Sequence, residues 1–131
     1  MSGVLLSLRF FALYLILLGL GFVLIPQVVL PWCGFDPPKD FWVRVLGGIL
    51  LILAYYYLAA ARCGDVAFAR RTVWGRLPLV GFYAGLVAWA GAPLPLLAVG
   101  AFESGCGVWT WLALRQSDRG GPGGPPLRGS I

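Results

Sequence analysis

A single carboxylate, Glu103, interrupts a stretch that is otherwise uncharged from Leu77 to Leu114. A carboxylate in the middle of such a run costs on the order of 2–3 kcal/mol to place in lipid. Its position therefore demands a partner, water or a proton. Arg44 lies three or four residues into an earlier apolar run. At a rise of about 1.5 Å per residue, Glu103 falls roughly 12 Å and Arg44 about 5 Å below the same surface. An arginine side chain closes most of that gap, so we expect Arg44 and Glu103 to pair. Helical spacing puts Arg44, Gly48, Leu51 and Tyr55 on one face, and Gly100, Glu103, Cys106, Gly107 and Thr110 on another. Arg44, Glu103, Tyr55 and Thr110 would then be the polar members of a small cavity. Such a pair serves either as a structural tie that sets helix register or as a functional intramembrane site.

Other chemistry is excluded by residues that are missing. There is no histidine, which removes imidazole bases and His-ligated haem or zinc. The three cysteines, Cys33, Cys63 and Cys106, form no Cys-x-x-Cys pair. No P-loop, dinucleotide-binding glycine motif or nucleophile elbow is present. We therefore expect no catalytic residue, no metal site and no cofactor held by this chain alone.

The elements that must position Glu103 follow from hydropathy. Of 131 residues, 60% are hydrophobic and 11% charged, whereas a soluble domain is about a quarter charged. Continuous apolar runs without alternation are membrane helices rather than barrel strands. Spans are expected at about 5–25, 41–61, 76–91 and 95–114. The first reads as an uncleaved span, because no small-residue cleavage site follows it. Pro26, Pro31, Pro37 and Pro38 should keep the following connection extended or turned. Asp40 is placed to cap the second span, and Asp65 to cap a short interfacial helix within the polar stretch 62–76, a stretch that reads equally well as a solvated loop. Residues 1–115 form the helical domain. Residues 116–131, rich in glycine and proline, form a tail expected to be disordered.

Net charge is +5, and eight of the ten basic residues fall on one side of this four-span arrangement: Arg9, Arg62, Arg70, Arg71, Arg76, Arg115, Arg119 and Arg128. The positive-inside rule then makes both termini cytoplasmic. The arginines answer to anionic lipid headgroups rather than to nucleic acid. The expectation is an all-α, antiparallel four-helix bundle in the cell membrane. Its spans should pack through Gly47, Gly48, Gly81, Gly85, Gly100 and Ser104, with Gly81/Gly85 also a candidate seam for a homo-oligomer.

The runs Trp42–Gly47, Tyr55–Tyr57, Thr72–Arg76 and Trp109–Leu114 resemble the small bacterial four-span proteins called BphX-like, and more loosely the DoxX-like membrane proteins, over about residues 8–115. The resemblance implies four membrane helices and no reaction. Some DoxX relatives are subunits of quinone-linked oxidoreductases. Three roles follow as expectations: a non-catalytic accessory or scaffold subunit with a membrane partner, a proton-coupled small-molecule transporter using Glu103, or the membrane subunit of a quinone-linked oxidoreductase.

Overall fold

The computed structural model describes residues 2–39 and 41–120, and every regular element among them is an α-helix. Helix α1 (Ser2–Leu24) ends where Pro26 forbids continuation: Ile25, ahead of the proline, leaves the helical region. Pro26 then opens a further helix, α2 (Pro26–Trp32), where the missing N–H at the first position costs nothing. This corrects the expectation of an extended or turned connection for residues 26–32; residues 35–38, with Pro37 and Pro38, carry no helix. Pro31 lies inside α2, and Gly34 closes it at φ +85°, with Phe35 N–H returning to Leu30 C=O at 3.0 Å.

Helix α3 (Trp42–Cys63) ends in a left-handed Gly64 at φ +67°. Of the two readings of the stretch 62–76 the helix is the one that forms: Asp65 caps α4 (Val66–Arg76), its carboxylate accepting from Phe68 N–H at 2.8 Å. After Leu77 and Pro78 the chain continues as α5 (Leu79–Ala90), and then as α6 (Pro95–Arg119). Helix α6 runs five residues beyond Leu114, into what was expected to be tail. Asp40 and residues 121–131, which carry the remaining cap and tail expectations, lie outside the described residues.

Four helical stretches are long and apolar enough to cross a membrane: α1, α3, α4 together with α5, and α6. The third is 25 residues long, because α4 joins what was expected as a short span at 76–91. Pro78 interrupts it, and the hydroxyl of Ser104 on α6 repairs the break. Ser104 Oγ accepts from Val80 N–H at 3.1 Å and lies 3.0 Å from Arg76 C=O and 3.2 Å from Leu77 C=O. A helix in an apolar surrounding needs such a substitute for each lost bond.

Neighbouring stretches run antiparallel. Gly19 faces Gly47, Tyr83 faces Gly100, and Arg70 pairs with Asp118 at 3.2 Å. Helix α1 is the spine: it packs on α3 along its length and on α6 through Ser7 and Tyr14. Its buried side chains Val4, Leu8, Phe11 and Leu15 form much of the core, with Tyr57, Ala61, Val73 and Leu114. The outer faces stay apolar, with Leu17, Ile52, Phe82 and Trp89 all exposed.

Close helix approach depends on particular glycines. A Cβ on Gly47 would lie 2.7 Å from the carbonyl oxygen of Gly19, and one on Gly100 would enter the ring of Tyr83. Gly48, Gly81 and Gly85 have nothing within 4 Å of a Cβ position. None of the three therefore brings two helices together: Gly81 and Gly85 are exposed on α5, and Gly48 is half-buried beside open space.

Candidate functional site

Helix α3 scarcely touches α5, so the bundle is open along one side. The resulting cleft has two cavities. One, of about 540 Å³, is lined by apolar side chains including Leu18, Phe22, Leu46, Leu86, Leu96 and Val99. The other, of about 370 Å³, is lined by Phe11, Leu15, Leu53, Tyr57, Arg76 and Leu79 among others. Leu50, Tyr83 and Glu103 line both. Glu103 therefore stands where the two halves of the cleft meet.

The side chains around it come from three helices at helical spacing. On α1, Ser7, Phe11 and Tyr14 share a face. On α4, Ala69, Val73 and Arg76 share the buried face. On α6, Glu103 and Thr110 are two turns apart. Tyr14 donates its hydroxyl proton to Glu103 Oε1 at 3.2 Å. Ser7 and Thr110 hydroxyls lie 3.0 Å apart, and Thr110 also bonds Cys106 C=O at 3.0 Å. Arg76 Nη2 reaches Thr110 Oγ1 at 3.4 Å.

Arg76 is the unusual member. It is 3% exposed, and its guanidinium carbon stacks 3.9 Å from the centre of the Phe11 ring. Such a stack supplies about 0.5–2 kcal/mol of cation–π attraction. It satisfies no N–H donor, however, and both Nε and Nη1 are left without a hydrogen-bond partner. Gly107 makes the arrangement fit, since a Cβ there would stand 3.2 Å from Arg76 Cβ.

Of the residues expected to line a polar cavity, two are in the cluster and two are not. Glu103 and Thr110 are there. Arg44 is at the opposite end of α3, exposed, donating from Nη1 to the backbone carbonyl of Val23. The expected Arg44–Glu103 pair does not form; Tyr14 occupies Glu103 instead. Tyr55 points outward at 67% exposure, and Tyr57, two residues on, faces the core. By sequence Arg76 counts among the arginines that answer to lipid headgroups, at the end of the polar stretch 62–76 and the start of the span 76–91; the structure buries it instead. The signal that would have found it is the helix that Asp65 caps, whose 69–73–76 face carries two small apolar residues and then an arginine. Tyr14, similarly, falls one turn beyond Phe11 on the inward face of α1.

The three cysteines are free, and no cluster of three His, Cys, Asp or Glu side chains occurs among the described residues. Compared with protein-family models, with curated proteins and with solved structures, the chain matches none.

Proposed function

We propose that this chain is an integral membrane protein that crosses the lipid layer four times with both termini cytoplasmic, and that it acts as a non-catalytic binding subunit for a lipophilic small molecule. The observation that carries the reading is the cleft between α3 and α5, apolar along most of its wall, with Glu103 at its middle. A mostly apolar recess with a few converging polar groups is the usual form of a small-molecule site. Its opening between two apolar helices suits a ligand arriving from the lipid phase. The charge distribution supports the orientation: Arg9, Arg62, Arg70, Arg71, Arg115 and Arg119 flank the ends of α1, α3, α4 and α6 that meet at the Arg70–Asp118 pair. The resemblance to BphX-like proteins belongs to the same proposal.

Leu50 lines both halves of the cleft, so Leu50→Trp should fill it. Binding of Nile red to the full chain in detergent should be saturable and should weaken by about tenfold in Leu50→Trp, a loss typical of a blocked apolar pocket. Equal, non-saturating uptake by both proteins would contradict a specific site.

A second reading, proton-coupled transport, is favoured by Glu103 lining both cavities, the position expected of a carboxylate that is reached from two sides in turn. Proton-driven uptake in proteoliposomes that is abolished by Glu103→Gln would support it. Flux equal to that of empty vesicles would remove it.

A further inference from the structure

The two halves of the cleft differ in charge. The larger cavity has two charged side chains in its wall, Asp36 and Glu103, and both are acids. Asp36 is exposed on the connection that follows α2. Glu103 stands where the larger cavity meets the smaller one. Arg76 is the one base in either wall, and it lines the smaller cavity alone. Its guanidinium is closed in there, with one face on Phe11, Nη2 on Thr110, and Nε and Nη1 sealed by the atoms around them. No ion pair joins it to Glu103 among the described residues. Glu103 is itself half satisfied. Oε1 accepts from Tyr14 at 3.2 Å. Oε2 has no hydrogen-bond partner among the described residues, and unlike the Arg76 donors it is not sealed from the space beside it. A carboxylate among apolar walls is costly unless a cation and hydrogen-bond donors meet it.

The larger cavity therefore lacks a positively charged donor at Glu103 Oε2 and an apolar body along its walls. We propose that it binds an apolar amine, with the ammonium group at Glu103 and the hydrocarbon part along Leu50, Leu46 and Phe22 toward Asp36. This rests on the cleft being a lipophile site, and adds the chemistry of the ligand's head. The ammonium N–H groups donate to Oε2, while the Tyr14 hydroxyl keeps Oε1 in place. The amine meets Glu103 from the larger cavity, and Arg76 stays enclosed in the smaller one. An alcohol head donates one hydrogen bond and brings no countercharge. An ionised carboxylic acid head sets a further anion against Glu103 in a cavity that holds no base.

The test uses the full chain in phosphatidylcholine nanodiscs with dodecylamine, dodecanol and dodecanoic acid as probes, bound ligand being counted by native mass spectrometry. The amine should bind saturably, about tenfold tighter than the alcohol, as charge-assisted hydrogen bonds are roughly twice as strong as neutral ones; the acid should not bind. Glu103→Gln should remove the preference for amine over alcohol. Asp36→Asn should change it by about twofold or less, because an exposed charge contributes little. If Glu103→Gln does not fold, the three probes on the unaltered chain still decide the head group, and Leu50→Trp should displace the amine while Glu103 stays in place. A preference that survives Glu103→Gln, or that is lost in Asp36→Asn instead, would overturn the placement at Glu103. Equal binding of all three probes, displaced by Leu50→Trp, would overturn the amine assignment and leave the cleft. No saturable binding of any probe would overturn the cleft reading and this inference with it.

Discussion

Tyr14 takes the partnership with Glu103 that sequence spacing assigned to Arg44, and Arg44 turns to another partner. Tyr14 hydroxyl holds Glu103, and Arg44 caps the end of α1 through the Val23 carbonyl. Contacting residues couple energetically and distant ones add. A double-mutant cycle of Tyr14→Phe with Glu103→Gln should give a coupling of about 0.5 kcal/mol or more in detergent unfolding. The cycle of Arg44→Met with Glu103→Gln should be additive. Thr110→Val probes the other arm of the cluster. It strips Arg76 Nη2 of its partner and removes the Ser7 contact. We expect it to lower stability by about 1–3 kcal/mol, read as a lower midpoint of thermal unfolding; an unchanged midpoint would mean that Arg76 does not depend on that hydroxyl. Arg70 and Asp118, each more than half exposed, are a weaker tie, for which such surface pairs supply about 1 kcal/mol or less.

The helices themselves were largely legible because breakers and hydropathy agree. Apolar runs long enough to span, bounded by prolines and Gly64, place α1, α3 and α6 close to the observed bounds. Legibility failed where tertiary contact overrides a local signal. Pro26 starts a helix as readily as it ends one, so α2 was hidden. The polar stretch 62–76 set the start of the third span, yet α4 lies within it and Ser104 restores the bonds that Pro78 breaks, so α4 and α5 act as one stretch. Glycine spacing identified candidate contacts but not which face meets a neighbour. Gly81 and Gly85 have the small-xxx-small pattern and touch nothing, whereas Gly47 and Gly100 are in tight approach. Accordingly Gly47→Leu should destabilise the bundle by about 1–3 kcal/mol or more through overpacking. Gly81→Leu and Gly85→Leu should leave monomer unfolding unchanged. If those two substitutions destabilise the monomer as strongly as Gly47→Leu, the outward orientation of α5 is wrong.

The whole molecule is apolar on its outer faces and polar at one place inside, the reverse of a soluble fold. Exposed Leu17, Ile52, Phe82 and Trp89 ring a core that contains Ser7, Arg76, Ser104 and Thr110. In water that exterior would drive aggregation; in lipid it is the solvent match, and the inner hydroxyls become the ties between helices. The bundle is also incomplete, since a slot with mostly apolar walls lies between α3 and α5. Both the proposed site and its proposed access from the side depend on the chain lying across a lipid layer in one orientation.

That orientation is most directly tested by labelling intact cells with a membrane-impermeant maleimide. Cys63, exposed at the end of α3, is kept as the only thiol in one protein. In a second, all native cysteines are replaced and Asp36→Cys marks the connection between α2 and α3. The account predicts that Asp36→Cys is labelled from outside and that Cys63 reacts only after the cells are opened. Labelling of Cys63 in intact cells, or equal labelling of both positions before opening, would contradict it.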